Sequence, residues 1–296
     1  MSTLTVILPV YNAEKYLAET LDCIQNQSFT DFRVLAMNDG STDSSLEILK
    51  ERAKSDSRIQ IISRENRGLV STLNEALAIV NTPYVARHDA DDFSPPDRFS
   101  KQVQFLKDHP RVGLLGTTFL CTFGAQTDAQ FIPTTDAQLR ECFPYRNGFA
   151  HGSMMAKTSI LQKVNGYSIE PSVRHVEDYD LWSRCLKITQ VANLPDMLYV
   201  YREYHQNTSQ KNLLEQIENA DRLQKRNARA FLASNKLWNF MRVAFEVLSQ
   251  AKSNDPFWTQ RKRYLKNVLN FSSALLSENG SYFHAHLRRL LASYLD

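Results

Sequence analysis

Three observations predict an α/β protein with a mostly parallel central sheet flanked by helices. Short apolar runs rich in β-branched residues alternate with amphipathic stretches throughout the first 90 residues. The interval between runs is that of βαβ units, which wind into parallel sheets with right-handed crossovers. The unusual polar residues fall just after the runs, at the strand ends where ligands of such sheets sit.

The elements follow in order. Thr3 to Leu8 reads as a buried strand ending at Pro9, and Glu14 to Gln27 as a helix with Tyr16, Leu17, Thr20, Leu21 and Ile24 on one face. Phe32 to Met37 is a second strand. Asp43 to Ala53 is a helix with Leu46, Ile48 and Leu49 turned inward and Asp43 placed to cap it. Arg58 to Ser63, Leu69 to Val80 and Tyr84 to His88 continue as strand, helix and strand. Ser94-Pro95-Pro96-Asp97 opens a helix running to about His109. Residues 112–145 read as shorter strands and loops, Lys157 to Val164 and Glu177 to Lys187 as helices, and Met197 to Arg202 as a further strand. Beyond about residue 211 only helical patterns remain, over roughly 211–233, 236–251, 257–277 and 282–295.

Charge divides the chain at the same place. Residues 1–209 hold 21 Lys and Arg against 25 Asp and Glu, a net −4, whereas residues 210–296 hold 14 against 7, a net +7. The expected organisation is therefore a ligand-binding and catalytic domain over 1–209 and a basic helical region over 210–296. A composition of 43% hydrophobic and 23% charged residues is that of an ordered globular chain. No apolar run approaches the roughly 18–20 residues that span a bilayer, and Met1-Ser2-Thr3-Leu4 lacks the basic start of a signal peptide. Cys23, Cys121, Cys142 and Cys185 are scattered without metal-binding spacing, which reads as reduced thiols in a cytoplasmic protein.

Asp89-Ala90-Asp91-Asp92 is the sharpest chemical feature. Three carboxylates at a strand end repel one another unless solvated or neutralised by a cation. Hard ions such as Mg²⁺ and Mn²⁺ are held by one or two carboxylates together with substrate phosphates. Taken alone, the run also serves as a solvated turn that caps the next helix. Asn38-Asp39-Gly40-Ser41-Thr42-Asp43 follows the second strand. Gly40 suits a tight turn there, and Asp39, not needed for the cap, offers an acceptor for the N3–H of a uracil. After the first strand, Tyr11 is placed to stack on a base.

Val6-Ile7-Leu8-Pro9-Val10-Tyr11-Asn12, Asn38-Asp39-Gly40-Ser41-Thr42-Asp43, Arg87-His88-Asp89-Ala90-Asp91-Asp92 and Glu177-Asp178-Tyr179-Asp180-Leu181-Trp182 stand in the order and spacing of the family 2 glycosyltransferases. The resemblance spans about residues 3–209. It implies a GT-A fold, inverting transfer from a nucleotide sugar, and Mn²⁺ or Mg²⁺ as cofactor. It is strongest for bacterial enzymes that use UDP-sugars to build lipopolysaccharide, capsule or exopolysaccharide. Pro9, Tyr11, Glu14 and Asp39 resemble the nucleotide-binding residues, with Asp39 on uracil, and Arg87 resembles a residue that helps hold the donor. Asp89 resembles the residue on the ribose or on water around the metal, Asp91 the metal ligand, and Asp178 the general base. Apart from the resemblance, Glu177-Asp178 is equally an acidic first turn favoured by the helix dipole, and Leu181 and Trp182 read as core.

Three positions depart from the family pattern. Asn38 stands where an Asp is usual, although the Asp expected to touch uracil is present as Asp39. Leu73-Asn74 lacks the Arg that often precedes the Asn, so that donor contact would fall to Arg67 or Arg64. In Tyr201-Arg202-Glu203-Tyr204-His205, His205 lies one residue after the position of a His that ligates the metal or binds diphosphate. His205 is a metal-ligand candidate if the loop shifts, and otherwise a surface His. His151 lies in a segment resembling the acceptor side, and Asn165-Gly166-Tyr167 reads as a turn.

In the basic tail, Trp238, Met241, Phe245 and Leu248 form one apolar stripe, and Tyr264, Leu265, Val268, Phe271 and Leu275 another. These stripes suit packing on the protein body. Alternatively Arg261-Lys262-Arg263 and Arg288-Arg289 face anionic lipid, a placement that a lipid-linked saccharide acceptor would motivate. No motif supports nucleic-acid binding. Two rival functions are a sugar nucleotidyltransferase, which needs a Gly-rich basic loop that Pro9–Ala13 does not provide, and an inactive relative acting as a scaffold.

Overall fold

The computed structural model describes residues 2–124, 126–130, 132–203 and 212–234. His205 and the segments assigned above to helices beyond residue 234, with their stripes and basic clusters, lie outside the described residues.

Among the described residues, eight strands form one sheet: β1 (Leu4–Val10), β2 (Phe32–Asp39), β3 (Ile59–Arg64), β4 (Tyr84–Arg87), β5 (Val112–Phe123), β6 (Gln126–Gln130), β7 (Met155–Lys157) and β8 (Gln190–Glu203). Their order is β3-β2-β1-β4-β7-β5-β6, with β8 paired along the other edge of β5. The first four strands are parallel, β7 is antiparallel to both β4 and β5, and β8 runs parallel to β5. Helices α1 (Leu17–Gln25), α2 (Ser45–Ser55), α3 (Leu69–Ile79), α4 (Arg98–Asp108), α5 (Asp136–Cys142), α6 (Thr158–Lys163), α7 (Glu177–Cys185) and α8 (Leu213–Ser234), with short 3-10 turns at His151–Ser153 and Pro171–Val173, complete the described elements.

The apolar runs in the first strands are continuous because both sheet faces are covered. Along β1, Val6 and Leu8 enter a core with Leu17, Leu21 and Ile24 of α1 and Phe99, Val103 and Leu106 of α4. Ile7, on the opposite face, joins Leu73, Ala76 and Leu77 of α3 and Leu181, Trp182 and Cys185 of α7. Trp182 and Leu181 are fully buried, as expected for core residues.

Three elements differ from the sequence reading, one of them the short β7, which begins in a stretch that reading leaves unassigned. Residues 112–145 include α5, whose start is fixed by a capping box: the Thr135 hydroxyl accepts from the Gln138 backbone N–H while the Gln138 side chain accepts from the Thr135 N–H. The last strand begins at Gln190, well before Met197. Pro195 and Asp196 interrupt the apolar pattern but lie at a register shift against β5, where Leu194 pairs with Thr117 and Met197 with Thr118.

The compact unit containing the sheet runs to Gln224. Leu223 and Asn219 of α8 are buried, and the Asn219 amide donates to the Arg174 carbonyl at 2.9 Å. Among the described residues, no helix is long and apolar enough to cross a membrane.

Candidate active site

Parallel pairing brings the ends of β1, β2 and β4 to one edge of the sheet, with Val10 beside Asn38 and Ile7 beside Arg87. The loops after β1 and β2 are stitched together there. Asn12, in the left-handed region at φ 49°, accepts the Thr42 N–H on Oδ1 at 2.8 Å. Asp43 accepts the N–H groups of Glu14 and Ser45, each at 3.0 Å, but it lies one residue before the cap position, which Ser44 occupies, so it is not the cap expected from the sequence. Glu14 in turn accepts the Ser44 N–H at 3.0 Å, which places its carboxylate on this clamp. Pro9 lies within β1 opposite Met37. Tyr11 stands exposed just beyond β1, 53% accessible, with its ring open to solvent.

Asp39 is buried at the end of β2 and organises the loop after β3. Its Oδ1 accepts the Arg67 N–H at 2.8 Å and its Oδ2 the Gly68 N–H at 3.0 Å, while Arg64, its register neighbour on β3, forms an ion pair with it. Arg64 also reaches Glu75 at 2.6 Å. Of the two arginines considered for donor contact, Arg64 is thus engaged within the fold, whereas Arg67 is exposed beside Glu65. Leu73, where the family often has Arg, is core, and Asn74 clasps the Tyr167 backbone through two hydrogen bonds of 2.8 and 2.9 Å. Gly40 at φ 70° has no room for a side chain, since a Cβ would lie 2.5 Å from the Asn66 nitrogen.

The acidic run after β4 is held from three sides. Arg87, only 4% exposed, forms an ion pair with Asp89, its Nη1 donating to Oδ2 at 2.7 Å. The Tyr199 hydroxyl of β8 accepts the Asp89 N–H at 3.2 Å and donates to Asp92 Oδ2 at 2.7 Å, while the Arg202 N–H donates to Asp92 Oδ1 at 2.8 Å. Burial, and after it the charges of Asp89 and Asp91, push the Asp92 carboxyl well up. Asp89 and Asp91 remain partly exposed.

Below the run, buried Arg98 donates to Ser94 Oγ at 2.9 Å and to the carbonyls of Arg87 and Gly152 at 2.8 Å each. The His88 ring donates from Nδ1 to the Asp89 carbonyl at 2.8 Å, leaving Nε2 to accept from the Ser94 hydroxyl at 2.9 Å. Burial and the nearby Arg98 charge lower His88 to about 3, so this ring is neutral and structural.

Asp178 opens α7. Its Oδ2 accepts the Asn147 amide at 2.8 Å and its Oδ1 the Tyr179 N–H at 2.7 Å. Burial, then the Glu177 charge, raises its carboxyl to about 7, against the opposing pull of the Tyr179 N–H, Arg87 and Asn147. Arg87 therefore acts on both halves of the site, gripping Asp89 while its charge reaches Glu177 and Asp178. The Arg87 head group is engaged with Asp89 inside the fold. His151 bonds the Tyr167 hydroxyl at 2.8 Å, and burial, then the Arg87 charge, keeps it neutral by lowering it well below the usual range. Asn165 and Gly166 both take left-handed backbone, at φ 57° and 60°, forming the expected turn.

Sequence reasoning missed Tyr199, Arg98, Gly152 and Asn147. Each acts through a partner distant in the chain. The readable signals were slight: a Gly after His151, and a Tyr inside a strand whose other buried residues are aliphatic except Asn193.

The glycosyl transferase family 2 model matches residues 5–164, more than half of the chain. The putative glycosyltransferase EpsE of Bacillus subtilis is 33% identical over 221 residues, covering 73% of this chain and 78% of that protein. The O-antigen biosynthesis glycosyltransferase WbnJ of Escherichia coli is 28% identical over 246 residues, covering 81% and 93%. Among solved structures, S. aureus TarS 1–349 in complex with UDP-GlcNAc superimposes with a TM-score of 0.60 at 18% identity, covering 96% of this chain and 78% of that one. The mannosyltransferase PcManGT of Pyrobaculum calidifontis, in complex with GDP-Man and Mn²⁺, gives 0.56 at 18% identity, covering 98% and 79%. These structural likenesses match the GT-A fold, and the sequence matches decide the family: this chain is a glycosyltransferase and belongs to glycosyl transferase family 2.

Proposed function

We propose that this enzyme transfers a hexose or N-acetylhexosamine from a UDP-sugar to a saccharide or lipid-linked saccharide acceptor, with inversion, in the synthesis of a cell-surface polysaccharide. The observation that carries this reading is the placement of Arg87, which couples the acidic run after β4 to Asp178 at the start of α7. One electrostatic unit thereby joins residues suited to the diphosphate with a carboxylate suited to taking a proton. The saccharide role also draws on the O-antigen biosynthesis enzyme WbnJ, and the UDP donor on the complex of TarS with UDP-GlcNAc.

In this reading the Asp178 carboxylate accepts the proton of the acceptor hydroxyl, whose oxygen attacks the anomeric carbon from the face opposite UDP. The bond from that carbon to the diphosphate oxygen breaks as the new one forms, so configuration inverts. A carboxyl near 7 suits a base working close to neutrality. Exposed Tyr11 stacks on the uracil, Asp39 accepts its N3–H on a lone pair the loop leaves unused, and Asp89 faces the ribose. Pro9 and Glu14 contribute by fixing the loop after β1, and Arg67 is the exposed arginine available to the diphosphate.

The acidic run suits a divalent ion. Burial first, and then the charges of Asp89 and Asp91, raises the Asp92 carboxyl, so negative charge is gathered at this run. No group of three or more His, Cys, Asp or Glu forms a complete cage among the described residues. Asp91, with Asp89 beside it, fits an ion whose remaining ligands are substrate phosphates. Bound Mn²⁺ or Mg²⁺ would neutralise charge developing on the diphosphate leaving group. His205 remains a candidate ligand, and contact of the basic region 210–296 with an anionic membrane remains a proposal from sequence.

The test is a screen of UDP-sugars by UDP release, with Mn²⁺ or Mg²⁺ and with EDTA. Metal-dependent turnover of at least one donor is expected. Absence of both turnover and UDP binding in every combination would refute the donor assignment.

A further inference from the structure

We infer that Asn147 is the positioning residue of the base: its amide holds the Asp178 carboxylate in one orientation and favours its ionised state. The inference rests on the reading of Asp178 proposed above.

Asn147 has no freedom to act otherwise. Its Oδ1 accepts the Phe149 N–H at 3.2 Å, which directs Nδ2 toward Asp178 Oδ2, 2.8 Å away. Turning the amide over would set an NH₂ against the Phe149 N–H and an oxygen against the carboxylate, so the hydrogen-bond network selects one orientation. The loop that carries it is anchored as well. The Gly148 carbonyl accepts the Asn193 amide at 2.9 Å, and Phe149 is buried in the core that contains Trp182.

Asp178 consequently has one protein donor on each oxygen, Asn147 on Oδ2 and Tyr179 N–H on Oδ1. The carboxylate plane is fixed, and each oxygen keeps a lone pair for the acceptor hydroxyl. The charged and titratable groups around it are Glu177 on its own helix, Arg87 on β4 and Tyr167 from the turn before α7. Arg87 is shared with Asp89, whereas the Asn147 amide is given to Asp178. A donor locked so that it cannot accept stabilises the anion over the acid.

The test follows the Asp178 carboxyl directly, by ¹³C NMR titration of protein labelled at aspartate, with its signal assigned by loss in Asp178→Asn. In Asn147→Leu the midpoint should rise by about one unit, and in Asn147→Asp, which adds a like charge, by more. With UDP-N-acetylglucosamine, or whichever UDP-sugar the donor screen finds active, kcat of Asn147→Leu should fall about fivefold near pH 7, as the ionised fraction does for a one-unit rise, and recover toward pH 8.5. The donor KM should be unchanged. UDP binding and thermal melting establish that the variants are folded. An unmoved midpoint, or an equal loss of kcat at every pH, overturns the inference while the base reading stands, provided Asp178→Asn is inactive. An Asp178→Asn enzyme that retains transfer overturns the base reading itself, and with it the catalytic role of Asn147.

Discussion

The guanidinium of Arg87 meets the carboxylate of Asp89 through two nitrogens, with Nη1 2.7 Å from Oδ2, at the point where β4 gives way to the acidic run. Arg87 is buried and Asp89 only partly exposed, so the pair is far better shielded than a surface ion pair. Replacing Arg87 with Ala leaves Asp89 unpaired beside Asp91 and Asp92. A loss of about 3 kcal/mol of stability is expected, as for breaking a buried pair. Urea denaturation measures it. Arg87→Lys, with one charged group in place of the fork, should recover only part of the loss.

The Asp178 carboxyl, raised to about 7, makes a pH prediction with a definite sign. A base works in its ionised form, so kcat/KM should increase with pH through about 7 and level off above it. Asp178→Asn should reduce transfer by about 10²–10⁴-fold, the usual contribution of a positioned base. UDP affinity by calorimetry should be preserved, since the role proposed for this carboxylate is toward the acceptor hydroxyl and not the nucleotide.

Tyr199 links β8 to the acidic run through one hydroxyl, which accepts from the Asp89 N–H and donates to Asp92. Tyr199→Phe keeps the ring but strands both partners in a buried setting. A cost of about 1–3 kcal/mol is expected. Calorimetric titration should show weaker binding of UDP with Mn²⁺, because the loop bearing Asp89 and Asp91 loses a tether.

Gly152 lies directly against the same hydroxyl. A Cβ there would come within 1.9 Å of Tyr199 Oη and 2.8 Å of Asp89 Oδ2. Gly152→Ala should therefore displace the acidic run and destabilise the fold by about 1–3 kcal/mol or more. In the double variant with Tyr199→Phe, the penalty of adding the methyl should be smaller than in the parent. Thermal melts of the four proteins close that cycle.

Much of the fold was legible because its signals are local. Alternating periods between Thr3 and His88 identify four strands and three helices, and the structure places them within a few residues of those limits. The failures are instructive. The Thr135–Gln138 capping box is itself local but was hidden among residues that look like loop. The early start of β8 has no local signal, since it depends on pairing with β5 some 78 positions earlier, Val112 with Gln190.

The same division runs through the site. The sequence by itself determined that carboxylates gather after β4 and at the start of α7, since charges so close together stand out in any chain, and motif order placed the chain in its family. Tertiary structure alone decided which groups hold them. It tied Arg87 to Asp89 inside the fold, gave Glu14 and Asp39 loop N–H partners, and brought Asn147 to Asp178 across 31 positions and Tyr199 to Asp92 across 107. Residue type and periodicity report the backbone and the burial of a stretch. Which side chain meets which depends on sheet order and loop packing, and those are set by contacts distant in sequence.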